Sequence, residues 1–219
     1  MPFNDPAGNL MLDSLDESVA TGIKYVGIHT LADPGTSTNA AAGEATGGSP
    51  AYARQAVTWG ASSGRVKSNT GALTFDVPAG TYGFLTFWNA STGNTNVYLG
   101  HSPMGGAAAV KGWFSVDTTL TNDQFFSVAH GLADGDRIQM FNTFAETLPT
   151  GVTEGTVYFI VNSATNTFKV STTSGGSAVD ITALGGGEGY YQKVVPETFN
   201  AQGQITVAAG ALVLDATAV

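Results

Sequence analysis

Between Tyr52 and Leu214 the chain is interrupted every few residues by glycine, proline or an Asn/Asp turn, and the pieces between are short, β-branched and aromatic. This punctuation constrains the fold more than any other feature. A globular helix needs roughly 10 uninterrupted residues, whereas a strand is complete in about 4 to 8. Short strands at even spacing predict an antiparallel sandwich or barrel. The candidate strands are 53–59, 65–68, 73–77, 82–88 and 97–99. Leu73, Phe75 and Val77 alternate with Thr74 and Asp76, the pattern of a strand with one buried face. Phe84-Leu85-Thr86-Phe87-Trp88 is apolar on both faces and reads as a central strand.

One segment reads as helix. Residues 6–20 hold Leu12, Leu15 and Val19 at i, i+3 and i+7, with Asp5 as a cap, Pro6 in the first turn and Gly22 as a stop. A strand at 23–30 and a turn at Ala32-Asp33-Pro34-Gly35 follow, and then an extended surface loop over 36–50. Residues 102–109 form a small-residue linker. Beyond it, 113–181 reads as a compact all-β unit with strands at 125–128, 137–141, 157–161, 167–170 and 179–181, similar in size to an SH3-like or OB-like barrel. Its turns, Ala133-Asp134-Gly135-Asp136, Asn162-Ser163-Ala164-Thr165-Asn166 and Ser174-Gly175-Gly176-Ser177, supply the positive φ of tight connections. Gly185-Gly186-Gly187-Glu188-Gly189 reads as a flexible return linker, followed by strands at 204–207 and 212–214. The expected fold is therefore mainly β: an antiparallel sandwich or barrel with one N-terminal helix, plus a small all-β domain.

Composition narrows the function. Only 11 % of residues are charged, against about 25 % in an ordinary soluble domain. Such a neutral polar exterior suits a protein packed into an assembly, because few charges need desolvating on contact. The net charge is −9 with eight Lys and Arg and no basic stretch, which argues against nucleic acid and anionic membranes as partners. There is no cysteine, so disulfides and thiolate chemistry are excluded. No run of about 18 apolar residues exists to span a bilayer, and Met1-Pro2-Phe3-Asn4-Asp5-Pro6 lacks the features of a signal peptide.

Candidate chemistry is sparse. Gly60-Ala61-Ser62-Ser63-Gly64 matches the nucleophile pattern of a hydrolase, but that motif needs a strand before it and a helix after it, and 65–68 reads as strand. Ser62 is read as part of a turn. His29, His101 and His130 lie far apart without metal-ligand spacing. Asp134-Gly135-Asp136 has the start of a calcium loop without its later ligands, and reads as a hairpin turn. Asp13, Asp16 and Glu17 read as a solvated helix face rather than glycan-cleaving carboxylates. Trp59, Trp88 and Trp113, with Phe125-Phe126 and Tyr190-Tyr191, offer either core packing or a sugar-binding platform. Trp113 and Tyr190 can also anchor the strands that flank the second unit. No catalytic, cofactor or metal residue is assigned.

Two segments carry a resemblance. His29-Thr30-Leu31-Ala32-Asp33-Pro34-Gly35 and the run from Glu44-Ala45-Thr46-Gly47-Gly48-Ser49-Pro50 through Tyr52, Arg54 and Trp59 resemble short structural proteins of actinobacterial phages, labelled tail fibre or minor tail proteins. Phe87-Trp88-Asn89 and Pro196-Glu197-Thr198-Phe199-Asn200 extend the likeness over roughly residues 7–110 and 195–214. Shorter relatives pass almost directly from the segment at Tyr98-Leu99-Gly100 to the Pro-Glu-Thr-Phe type segment. The intervening residues therefore read as an insertion: a scaffold of 1–112 and 191–219 carrying a small barrel at 113–190. Insertion is tolerated where loop ends lie close together on a surface. The block from Val128 to Arg137 and on through Asn162 also resembles a small β-module of phage tail and receptor-binding proteins.

The resemblance implies a non-enzymatic virion protein at the tail tip or in a tail fibre, made in the bacterial host cytoplasm. Its partners would be other virion proteins, a homo-oligomer with a trimer favoured, and a host cell-surface glycan. A capsid decoration protein and a carbohydrate-binding host-recognition module stay open as alternatives. The sequon Asn89-Ala90-Ser91 has no force in a phage protein.

Overall fold

A computed structural model describes residues 5–32, 34, 40–94, 97–106, 110–143 and 146–216. The chain is mainly β, with antiparallel pairing in both of its units. It divides into two units: Met1–Thr30, Pro34–Ser102 and Glu197–Val219 form one, and Leu31–Asp33 with Pro103–Pro196 form the other. Asp33, Gly35–Asn39 and Ala107–Ala109 lie outside the described residues. So do parts of the expected turn at 32–35, loop at 36–50 and linker at 102–109, and the capping side chain of Asp5.

In the first unit, α1 (Asp5–Asp13) precedes β1 (Tyr25–Thr30), β2 (Gln55–Ala56), β3 (Val66–Ser68), β4 (Leu73–Val77), β5 (Gly80–Trp88) and β6 (Tyr98–Pro103). β5 is the hub. Tyr82, Phe84, Thr86, Phe87 and Trp88 are all buried, as a strand apolar on both faces requires. β1 covers one edge of β5, from Tyr25 opposite Trp88 to Thr30 opposite Tyr82. The other edge is shared. β6 folds back on β5 through the Asn89 N–H to Val97 O bond, and β13 (Glu197–Phe199) pairs with Tyr82, Thr81 and Gly80. Because β1 already occupies the first edge, β6 and β13 lie end to end along the second.

The chain after β13 retraces its own path. β14 (Gly203–Val207) pairs with β4, setting Ile205 against Phe75, and β15 (Val213–Asp215) pairs with β3. Residues 66–82 are thus zipped in reverse order by 197–215. The strand that would run unbroken along β5 is interrupted after β6 and resumed at β13.

The second unit is a closed barrel. Its strands are β7 (Lys111–Val116), β8 (Phe125–Phe126), β9 (Arg137–Asn142), β10 (Val157–Val161), β11 (Thr167–Ser171) and β12 (Glu188–Val194), in the order β10-β11-β8-β7-β12-β9 with β9 returning to β10. Closure protects the sheet edges, although β8 covers β7 only at Ser115 and Val116. Phe168 is fully buried, stacked on Phe125 at 5.5 Å and edge-on to Tyr191 at 5.7 Å; Ile138, Met140, Ile160 and Val170 pack into the same core.

Several expectations need correcting. The helix stops at Asp13 instead of running to residue 20. Ser14 Oγ bonds the Met11 carbonyl and Asp16 Oδ1 accepts the Ser18 N–H, local bonds that compete with the helical ladder. The loop expected over 36–50 is not all extended surface. Residues Ala40–Gly43 form a 3-10 turn, Glu44 bridges to His29, and Ala45 is buried with its N–H on Ile28 O. The barrel limits of 113 and 190 fall inside β7 and β12, and the unit runs from Pro103 to Pro196. It has six strands rather than five. Residues 179–181 pair with no strand, sending the Val179 N–H to Val170 O and the Ile181 N–H to Asp123 Oδ1.

The glycine run is no flexible linker. Gly185 turns at φ +62° with no room for a side chain against Thr147 O, and Gly189 lies within β12 where a Cβ would meet Phe141 O at 2.5 Å. Close backbone approach, rather than mobility, is what glycine supplies there.

Candidate functional site

Side chains on adjacent strands fall into register, so the outer face of β7, β12 and β9 can be read as rows. Phe114 and Val116 point into the core, which leaves Lys111, Trp113 and Ser115 outside; on β12, Tyr191 points in and Glu188 and Tyr190 point out. Trp113 lies opposite Tyr190, and Tyr190 opposite Phe141. The Trp113 and Tyr190 rings meet edge to face at 6.0 Å, while Tyr190 and Phe141 stack at 5.0 Å with 16° between planes. Trp113 keeps 68 % of its surface in water. Partial burial, and secondarily the charge of Glu154, push the Tyr190 phenol above its ordinary pKa, so it stays a neutral donor through the physiological range.

One side of this row opens into a groove of about 560 Å³, lined by Lys111, Trp113, Ser115, Phe126, Val128 and Glu188. Phe126 is 42 % exposed and Val128 87 %. Among the described residues, no side-chain hydrogen bond or ion pair engages Lys111 or Glu188. The groove thus combines flat apolar walls with one cation, one carboxylate and a hydroxyl. That set can hold a ligand that is part apolar and part hydrogen-bonding.

No protein family, curated protein or solved structure matches this chain. The reading of the site therefore rests on its own geometry.

The other aromatics are committed to packing. Trp59 is buried and donates Nε1–H to Ile23 O at 2.9 Å; Trp88 is fully buried and donates to Thr86 Oγ1. Phe125 and Tyr191 sit in the barrel core, beside their exposed neighbours Phe126 and Tyr190. Ser62 Oγ lies 2.8 Å from Asp13 Oδ1, and β3 rather than a helix follows it. His29 is buried with Nδ1 3.3 Å from Thr30 O, and His101 Nδ1 meets the Tyr98 hydroxyl at 2.7 Å. His130, although it borders the groove, holds the Leu132 N–H on Nδ1 and reaches Thr167 O with Nε2. Asp134 accepts the Ser163 N–H, and Asp136 accepts from the Ala133 N–H and from Lys193 Nζ. Among the described residues, no cluster of three His, Asp or Glu side chains could hold a metal ion.

Asp13 stays half exposed, as a solvated face requires, but Asp16 and Glu17 are partly buried and all three are engaged. Lys67 Nζ, in a side chain 1 % exposed, donates to Asp13 at 2.9 Å and Asp16 at 2.6 Å, while Glu17 accepts the Trp59 N–H. The hydrogen bond from Lys67, then that from the Ser18 N–H, holds the Asp16 carboxyl far below its ordinary range. Burial alone would lower the Lys67 pKa, but Asp16 and Asp13 together raise it.

Sequence reasoning missed one constellation altogether. Arg54 forms a two-pronged pair with Glu44, Nε to Oε1 and Nη2 to Oε2 both at 2.7 Å, and the side chains are 4 % and 9 % exposed. Its Nη2 also donates to Gly93 O, and its Nη1 to Ala90 O. The guanidinium carbon lies 3.4 Å from the centroid of the Trp88 ring. Tyr52 donates to Glu44 and accepts the Ile28 N–H; burial, then the Glu44 charge, drives its phenol well above the ordinary value. The ten-residue gap between Glu44 and Arg54 spans an irregular loop and matches no motif. The arrangement ties the 44–54 loop to the β5–β6 turn.

Proposed function

We propose that this protein is a structural subunit of a bacteriophage particle, placed in the tail tip or a tail fibre and working by assembly rather than catalysis. The observation that supports this most is the agreement between resemblance and folding units. Of the segments that resemble phage tail proteins, roughly 7–110 and 195–214, all but 31–33, 103–110 and 195–196 fall in one unit, and the residues between fold in the other, as a barrel. A scaffold that keeps its pairings while carrying a self-contained module suits a particle protein that presents variable parts.

The scaffold also offers a docking surface. An apolar groove of about 320 Å³ runs along α1 and β15, lined by Met11, Leu12, Leu15, Phe87, Leu212 and Leu214, with Leu10 73 % exposed nearby. A neighbouring virion subunit fills it in this reading, either a second copy in a symmetric ring or an adjoining tail protein. Density for this fold in an intact particle is the deciding test. A few copies at the tail support the proposal, hundreds on the shell replace it with capsid decoration, and absence from the particle overturns it.

A further inference from the structure

We propose that the outer face of the barrel binds a neutral saccharide, with one sugar ring stacked on Trp113. The inference does not rest on the virion reading, since the face belongs to the barrel alone.

Register sets the arrangement of this face. Trp113, Tyr190 and Phe141 form a central aromatic row, and the residues two positions along each strand flank it. Ser115 and Glu188 pair across on one side, and Lys111 and Gln192 on the other. Residues i and i+2 on a strand are about 7 Å apart. A flat ring lying on the indole therefore places its rim within reach of polar side chains in both directions along the strand.

The chemistry of the lining selects the ligand class. A pyranose has apolar C–H faces and a rim of hydroxyls that both donate and accept. Trp113 offers the apolar face, while Lys111 and Ser115 donate and Glu188 accepts. One Lys and one Glu leave the groove without a dominant sign, so neither a phosphate-rich nor a cationic ligand is favoured. Tyr190, which does not itself line the groove, stacks on Phe141 and packs edge to face on Trp113 from β12, so the indole is braced before any ligand arrives. The volume of about 560 Å³ suits an oligosaccharide lying along an open groove. Binding is the activity inferred, not cleavage. Hydrolysis needs a pair of carboxyls about 5 to 9.5 Å apart, and Glu188 is the one carboxylate that lines the groove among the described residues.

The test uses the full chain and an array of neutral gluco-, galacto-, manno- and arabino-oligosaccharides, with hits confirmed by calorimetry. At least one should bind and should shield Trp113 from iodide quenching. Trp113→Ala should weaken that binding at least about tenfold, and Tyr190→Ala should weaken it as well. The circular dichroism spectrum and melting temperature of Trp113→Ala should remain those of the parent, because the indole is mostly solvent-exposed. Absence of binding to every oligosaccharide at about 10 mM, an affinity far below any specific recognition, overturns the proposal. So does binding that survives Trp113→Ala. Shielding of Trp113 that follows protein concentration rather than sugar, with a matching rise in mass by light scattering, assigns the face to a second copy and likewise overturns it.

Discussion

Replacing Glu44 by Gln would leave the Arg54 guanidinium enclosed without a counter-charge. Arg54 is 4 % exposed at its side chain and Glu44 9 %, so water cannot take the place of the carboxylate. The change replaces a charged acceptor of two bonds of 2.7 Å by an amide that can accept one of them and turns a donor toward the guanidinium in place of the other; the carbonyls of Ala90 and Gly93 and the face of Trp88 remain. An exposed ion pair is worth about 0–1 kcal/mol. Removing one side of a buried pair costs about 3–5 kcal/mol, because the remaining charge stays desolvated.

The two-pronged geometry and burial put this pair in the second class. The expected loss is about 3–5 kcal/mol, or a fall of roughly 10–15 °C in the scaffold's melting temperature. Urea unfolding followed by tryptophan emission in a Trp113→Phe background measures it, since Trp59 and Trp88 then supply the whole signal. Glu44→Gln combined with Arg54→Met removes both charges and should cost less than the sum of the two single changes. A loss below about 1 kcal/mol for Glu44→Gln, the value of a hydrated surface pair, would refute the reasoning. Full additivity in the double variant would refute it too.

Two further outcomes follow from the scaffold. The Asp16 carboxyl is held below its ordinary value, so its contribution is present above about pH 4 and is lost as the pH falls further; the raised Lys67 contributes below about pH 10 and loses that contribution as the pH rises beyond it. Thermal melts across pH should therefore show a plateau with both flanks falling. Asp16→Asn should be less stable at pH 7 with a flatter acid flank, and an unchanged acid flank counts against the assignment. Deleting residues 104–196 and joining Pro103 to Glu197 through two glycines should leave a folded scaffold with native circular dichroism and buried-tryptophan emission. An unfolded product would mean that β6 and β13 do not share an edge.

Local patterns were readable wherever one strand buries one face. Leu73, Phe75 and Val77 announced β4, and the turn at Asn162, with φ +52°, announced the hairpin between β10 and β11. β13 was not readable, because three residues, Glu197–Phe199, become a strand only through pairing with Tyr82 far back in the chain. β12 was hidden because Gly185–Gly189 has the composition of a linker, and only the close approach to Thr147 and Phe141 explains its glycines. The aromatic face was half visible. Its residues stood out by type, yet only register separates exposed Phe126 and Tyr190 from buried Phe125 and Tyr191. The alternation of Lys111, Trp113 and Ser115 with Phe114 and Val116 was the signal that could have found it.

The interrupted strand along β5 also dictates a schedule. On the ribosome, β3, β4 and β5 emerge long before their partners β15, β14 and β13, because Pro103–Pro196 is translated in between. At 5–20 residues per second that delay is roughly 5–20 s. The barrel has all its strands by then and can close by itself, whereas the hub strand waits with Gly80–Tyr82, three of its nine residues, unpaired along one edge. Nascent chains are therefore most prone to mispairing during this interval, until residues 197–215 emerge and complete the scaffold.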